Sequence, residues 1–189
     1  MSEIDTTVAI RALQRTGEVL AASPSALGHQ WEVVLLGGTA GLLARLLSPQ
    51  RTTADCDVLL LSDAAEWGTL ARAAEVVADQ LGLPATWLNR DCEAFSWTLP
   101  LGWRSRMERV GEFGPLAVWR VSRRDLIATK VLGAKSRPQD LEDLRHIGPT
   151  REELSWVREH LDRLESEHLD GRSFDPERVV VGVLEDAKW

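Results

Sequence analysis

The sequence predicts an α/β (α+β) protein in which a small mixed β-sheet is flanked by helices and followed by a helical C-terminal part. Three observations predict it. A β-branched and leucine run, Glu32 to Leu36, meets a double glycine and a short apolar helix. A second strand, Asp57 to Leu61, follows closely and leads into a long helical pattern. Beyond residue 121 the patterned segments read as helices. The organisation expected is an α/β core over residues 1–121 with a helical part over 122–189 packed on it, together a single compact unit.

Thr7 to Ala22 carries Val8, Ile10, Leu13, Val19 and Leu20 at three- and four-residue steps, the period of an amphipathic helix. Glu32 to Leu36 is a buried strand by length and flanks. Gly37-Gly38 is a turn, and Thr39 to Leu47 is a short helix ended by Pro49. Ser62-Asp63 can cap a helix from Ala64 to Leu81, which Gly82 and Pro84 terminate. Ala85 to Pro100 has no clear period. Trp103 to Phe113 and Leu116 to Val121 read as two strands joined at Gly114-Pro115. Ser122 to Asp125 resembles a capping box, with Asp where Glu is usual, and opens a helix. A further helix carries "QDLEDLRHI". Thr150 to Glu153, "TREE", is a capping box before a long helix to about Leu169. The tail "DPERVVVGVLEDA" reads as a helix, with a strand as the alternative.

Composition bounds the function. Hydrophobic residues make up 44% and charged residues 27%, an ordinary globular balance. No run reaches the ~20 apolar residues of a membrane span, and the acidic start lacks a signal-peptide pattern. A cytoplasmic protein without membrane contact is expected. The net charge of −7 does not favour nucleic acid. Six arginines between 104 and 124 nonetheless form a locally basic segment. It is either a solvated sheet face or a surface for phosphates. Cys56 and Cys92 fit neither a zinc spacing nor a disulfide framework, and Cys56 reads as a buried thiol. His29, His146, His160 and His168 lack metal spacing, and no nucleophile elbow is present. Trp87, Trp97 and Trp103 can stack on a base or anchor the core.

The chemistry lies between Gly37 and Asp57. Residues i and i+2 of a strand share a face, so Asp55 and Asp57 point together. Two close carboxylates share a proton or hold a cation. Magnesium takes carboxylate oxygens and completes its shell with waters and phosphates. Gly37 and Gly38 let backbone amides approach a phosphate, the following helix adds its positive end, and the Thr39 hydroxyl can add a donor. Lysine occurs only at positions 130, 135 and 188, while arginine supplies the other 19 of 22 basic residues. Lys130 is therefore either an exposed helix lysine or a specific cation. Asp140 and Asp143 share a helix face. They are either solvated or hold Lys130 or Arg137 in place.

"GGTAGLLARLLSPQRTTADCDV" resembles the signature of the nucleotidyltransferase fold, the polymerase-β-like superfamily. Arg51 to Asp57 is close to the "R-T-x-D-x-D" form of minimal bacterial members, which include the toxins of AbiE-type toxin–antitoxin pairs. "SRRDLIATKVLGAKSRPQDLEDL" resembles a later motif of that group through Asp125, Leu126, Lys130, Arg137, Asp140 and Asp143. The resemblance spans roughly Val33 to Ile147. It implies Asp55, Asp57 and Lys130 as catalytic residues. It implies that Gly37, Gly38, Thr39, Arg51 and Lys130 bind nucleotide, with Arg137, Asp140 and Asp143 in support. Asp55 and Asp57 would hold Mg²⁺, with Glu108 as the candidate third carboxylate. The implied reaction moves a nucleotidyl group from an NTP to a hydroxyl of RNA, tRNA or protein. A toxin with a cognate antitoxin is one setting, and an antibiotic or other small molecule is a less favoured acceptor. The alternative is an inactive module that binds nucleotide or a partner protein.

Overall fold

The computed structural model describes residues 3–24, 28–167 and 172–187. Helix α1 (Thr6–Ala22) is capped by Asp5, whose carboxylate accepts the Val8 N–H at 2.8 Å. Strand β1 (Trp31–Leu35) runs into α2 (Gly37–Leu43), and β2 (Cys56–Leu60) returns antiparallel to β1, with Val34 opposite Leu59. Asp63 caps a 3-10 turn, Ala64–Glu66, rather than the α-helix itself; α3 (Trp67–Leu81) follows and ends at Gly82 in the left-handed region, φ 66°. The unpatterned middle contains β3 (Leu88–Asn89) and a 3-10 segment, Asp91–Thr98. Then come β4 (Glu108–Phe113) and β5 (Leu116–Arg120).

The sheet order is β3-β2-β1-β5-β4. The β1/β5 and β2/β3 pairs are parallel, and the β1/β2 and β4/β5 pairs are antiparallel, so the sheet is mixed as expected. One strand expectation is corrected. Trp103–Arg106 is a 3-10 turn, and β4 starts only at Glu108. Gly102, at φ 75°, turns the chain just ahead of that segment. The Gly37-Gly38 turn is also tighter than expected, because the helix begins at Gly37.

The C-terminal part is helical. It comprises α4 (Arg123–Ala134), α5 (Pro138–Ile147), α6 (Arg151–Glu167) and α7 (Asp175–Asp186). The tail is therefore a helix. The expected end of α6 near Leu169, and His168 with it, lie outside the described residues. Helix α1 packs on α3 and on β4, while α4 touches α2, α5, α6 and α7. One cluster of buried apolar side chains runs from Ile4 through Leu35 and Val131 to Leu184. Among the described residues no helix is long and apolar enough to cross a membrane.

Both halves of the "TREE" box are formed. Thr150 N–H donates to Glu153 Oε2 at 2.8 Å, and Glu153 N–H donates to Thr150 Oγ1 at 3.1 Å. Glu153 also accepts from Arg123 Nε at 2.8 Å, which ties the start of α6 to the start of α4. Thr150→Ala should cost about 1 kcal/mol in urea unfolding, the usual worth of such a cap. A loss well below 0.5 kcal/mol, roughly the bottom of that range, would show that Arg123 alone holds the junction.

Candidate functional site

The glycine turn and the two aspartates are built as one unit. After β1, Leu36 donates its N–H to the Asp57 carbonyl at 3.0 Å. Gly37 then turns into α2 at φ 58°, a conformation that side-chain-bearing residues rarely adopt. A Cβ at Gly37 would lie 3.1 Å from Asp57 Oδ2. A Cβ at Gly38 would lie 2.9 Å from Thr53 Oγ1 and 3.8 Å from Arg51 Nη2. The turn is therefore pressed against the 51–57 segment. Thr39, fully inside, donates its hydroxyl to the Asp55 carbonyl at 2.9 Å. That bond fastens α2 to the carboxylate loop and uses the donor that the sequence offered to a phosphate. From the other side, Ile4 and Thr53 exchange main-chain bonds of 2.8 and 2.9 Å.

The charge of Asp55 is felt by Asp57. The Asp57 carboxyl is pushed up to about 6, first by burial and then by the charge of Asp55. Arg137 and a hydrogen bond from Asn89 pull it back, while Asp91 pushes it further up. Asn89 pairs with Asp57 in the β2/β3 register, and its Oδ1 accepts the Asp91 N–H at 2.9 Å. Sequence reasoning missed both Asn89 and Asp91. They follow a two-residue strand, too short to show a period, and the only local signal is the polar "NRD" after Trp87-Leu88.

The structure does not bring Glu108 to this pair. It lies on β4, three strands from β2, roughly 14 Å away at ordinary strand spacing. Glu108 is exposed and accepts from Arg120 Nη2 at 2.5 Å. Among the described residues no group of three His, Cys, Asp or Glu side chains could hold a metal. The donor set is thus two hard carboxylate oxygen groups, one of them desolvated. That set suits a magnesium ion whose remaining ligands are waters and phosphate oxygens.

Lys130 is not exposed but only 2% accessible. Its Nζ donates to Asp140 Oδ1 at 2.9 Å and to Asp143 Oδ2 at 2.6 Å. Asp143 Oδ1 accepts from Arg51 Nε at 3.2 Å, and Asp140 Oδ2 lies 2.7 Å from Arg137 Nε. The aspartates therefore hold Lys130 and also an arginine each.

The basic segment is largely neutralised. Arg106 forks onto buried Asp125, at 2.6 and 3.2 Å. Arg109 pairs with Glu112, Arg120 with Glu108, Arg123 with Glu153 and Arg124 with Glu152. Arg104 lies over Trp103. Trp87 is fully buried and donates to the Ala74 carbonyl at 2.9 Å, so it is a core anchor. Trp97, by contrast, is 38% accessible. Cys56 is buried as expected, and desolvation raises its thiol pKa. His160 is buried, donates Nε2–H to the Thr98 carbonyl at 2.9 Å and is held below its ordinary pKa by desolvation.

In the unfolded chain Asp57 titrates near 3.8, against about 6 in the fold. A raised carboxyl favours the fold while protonated, so its contribution is complete below about pH 4 and is lost as pH rises to about 6. Without divalent ions, Asp57→Asn should stabilise the protein at pH 7.5 by on the order of 1–2 kcal/mol and have no effect near pH 4. Thermal melts across this range check it, and a variant less stable than the parent at pH 7.5 contradicts it. Lys130→Met leaves two buried carboxylates without their shared cation. It should lose about 3–5 kcal/mol in urea unfolding.

Residues 19–189, all but the first 18 of 189, match the profile of a family described as nucleotidyltransferase of unknown function (DUF6036). No curated protein and no solved structure was found to match. The family agrees with the nucleotidyltransferase resemblance of the sequence but does not single out the AbiE-type branch. The match contains the glycine turn, both aspartates and the whole Lys130 network. The chain therefore belongs to this nucleotidyltransferase family.

Proposed function

We propose that the protein transfers a nucleotidyl group from a nucleoside triphosphate to a hydroxyl of RNA, tRNA or protein. The observation that carries this reading is the desolvated Asp57, set beside Asp55 and pressed on the backbone of Gly37. Placing two like charges together in a partly dry site is costly unless a ligand compensates them. Asp55 and Asp57 would hold magnesium, which when bound neutralises phosphate charge and acidifies an attacking hydroxyl. The turn at Gly37 and Gly38 would offer its backbone N–H groups to phosphate oxygens. In the reaction the acceptor oxygen bonds to the α-phosphorus, the bond from that phosphorus to the bridging oxygen breaks, and pyrophosphate leaves. The acceptor proton passes to solvent. Asn89 and the Leu36 and Thr39 bonds keep the carboxylates in register for an in-line approach. The resemblance to AbiE-type toxins extends the reading to a toxin with a cognate antitoxin.

A second reading has an observation of its own. No third carboxylate joins the pair among the described residues. A site with two acidic ligands could bind a nucleotide, or support binding to a partner protein, without activating an acceptor.

One experiment separates the two. The protein is incubated with Mg²⁺, each α-labelled NTP, and total RNA or cell extract. Transfer of label that falls at least about 100-fold in both Asp55→Ala and Asp57→Ala supports the enzyme, and the labelled species identifies the acceptor. Nucleotide binding without transfer supports the second reading.

A further inference from the structure

The Lys130 network has a symmetry that the pairwise contacts hide. Each aspartate gives one oxygen to Lys130 and the other to an arginine. Asp140 spans Lys130 and Arg137, and Asp143 spans Lys130 and Arg51. The two arginines reach different halves of the site. Arg51 Nη2 stands beside Gly38, and the charge of Arg137 is felt by Asp57. Their accessibility also differs from that of the lysine. The side chains of Arg51 and Arg137 are 22% and 64% accessible, against 3% for Lys130.

We infer that Arg51 and Arg137 form a two-armed clamp on the polyphosphate of a nucleoside triphosphate, and that Lys130 is a positioning residue that holds both arms through Asp143 and Asp140. This rests on the nucleotide reading above. It assigns the phosphate contact to the arginines rather than to Lys130.

Lys130 is poorly placed to reach a ligand. Its ammonium already serves two carboxylates, and drawing it out would leave both buried without their common cation. Arg137 is well placed. Asp140 Oδ2 is buried and lies 2.7 Å from Arg137 Nε, yet it receives no well-directed hydrogen bond. The contact fixes the guanidinium ionically and leaves its N–H groups to point elsewhere. Gly133 makes this possible, since a Cβ there would overlap both Asp140 Oδ2 and Arg137. Arginine is the ordinary cation of this chain, so its identity alone carries little weight; its placement does. Held guanidinium groups match phosphate oxygens in pairs, and two of them would offset much of a triphosphate's charge.

The test is equilibrium binding by calorimetry, with ATP, GTP, CTP and UTP and the four matching monophosphates, in Mg²⁺ and again in EDTA. The parent should prefer triphosphates. Arg51→Gln and Arg137→Gln should each weaken triphosphate binding at least about tenfold and change monophosphate binding little. Asp140→Asn should reproduce the Arg137→Gln loss, and the double variant should be no worse than either, because the aspartate acts through the arginine. Melting curves verify that each variant is folded. If Asp140→Asn does not fold, the two partly exposed arginines still decide. Triphosphate binding unaffected in both arginine variants would overturn the clamp alone. So would losses equal for mono- and triphosphates. A parent that binds no nucleotide would overturn the nucleotide reading, and the clamp with it.

Discussion

A single buried ammonium organises much of what surrounds the site. Lys130 lies on α4, and its partners Asp140 and Asp143 lie one turn apart on α5. An isolated charge at that depth would be untenable; two carboxylates make it tolerable, and their second oxygens would be exposed to the same cost without Arg51 and Arg137. The consequence is geometric. Helix α5 is fixed against α4, and the segment after α2 is fixed against α5, by charges that can be satisfied in few other arrangements. Apolar packing supplies the bulk of the association, as Val131, Leu144 and Ile147 show. The ionic chain supplies the register in which the glycine turn and the helical part meet.

The carboxylate pair presents the opposite situation, a charge arrangement that the fold compensates only in part, through Arg137 and Asn89. Main-chain bonds from Leu36, the Thr39 hydroxyl and the Ile4–Thr53 bridge all hold the aspartates where they repel. None of these contacts relieves the repulsion. They prevent the loop from relaxing away from it.

Much of this was legible from residues alone. Glycine, threonine and alternating aspartates are local signals, because turn geometry and strand period act over two or three residues. The helix caps at Asp5, Ser122 and Thr150 are equally local, and the sequence marks the latter two by their spacing. The strand β3 was illegible because two residues carry no period; its place depends on Trp87, whose burial against α3 is a tertiary fact. The missing partner of Asp57 failed for a related reason. Asn89 becomes its neighbour only through a parallel pairing across 32 residues. Glu108 looked suitable in one dimension, and sheet order placed it at the far edge. The arginine-rich segment looked basic because its counter-ions Glu152 and Glu153 are distant in sequence.

The bridge between Ile4 and Thr53 bears on how the folding unit is delimited. The family profile begins at residue 19, inside α1. Yet Ile4 is fully buried, and its main chain grips the loop that carries the aspartates. A chain trimmed to the profile boundary would lose this strap together with the first 13 of the 17 residues of α1, including Ala9 and Leu13 on its inward face. The similarity thus covers less than the packed unit of this chain, and a shortened version that keeps the strap has to begin upstream of Ile4 rather than where the similarity begins.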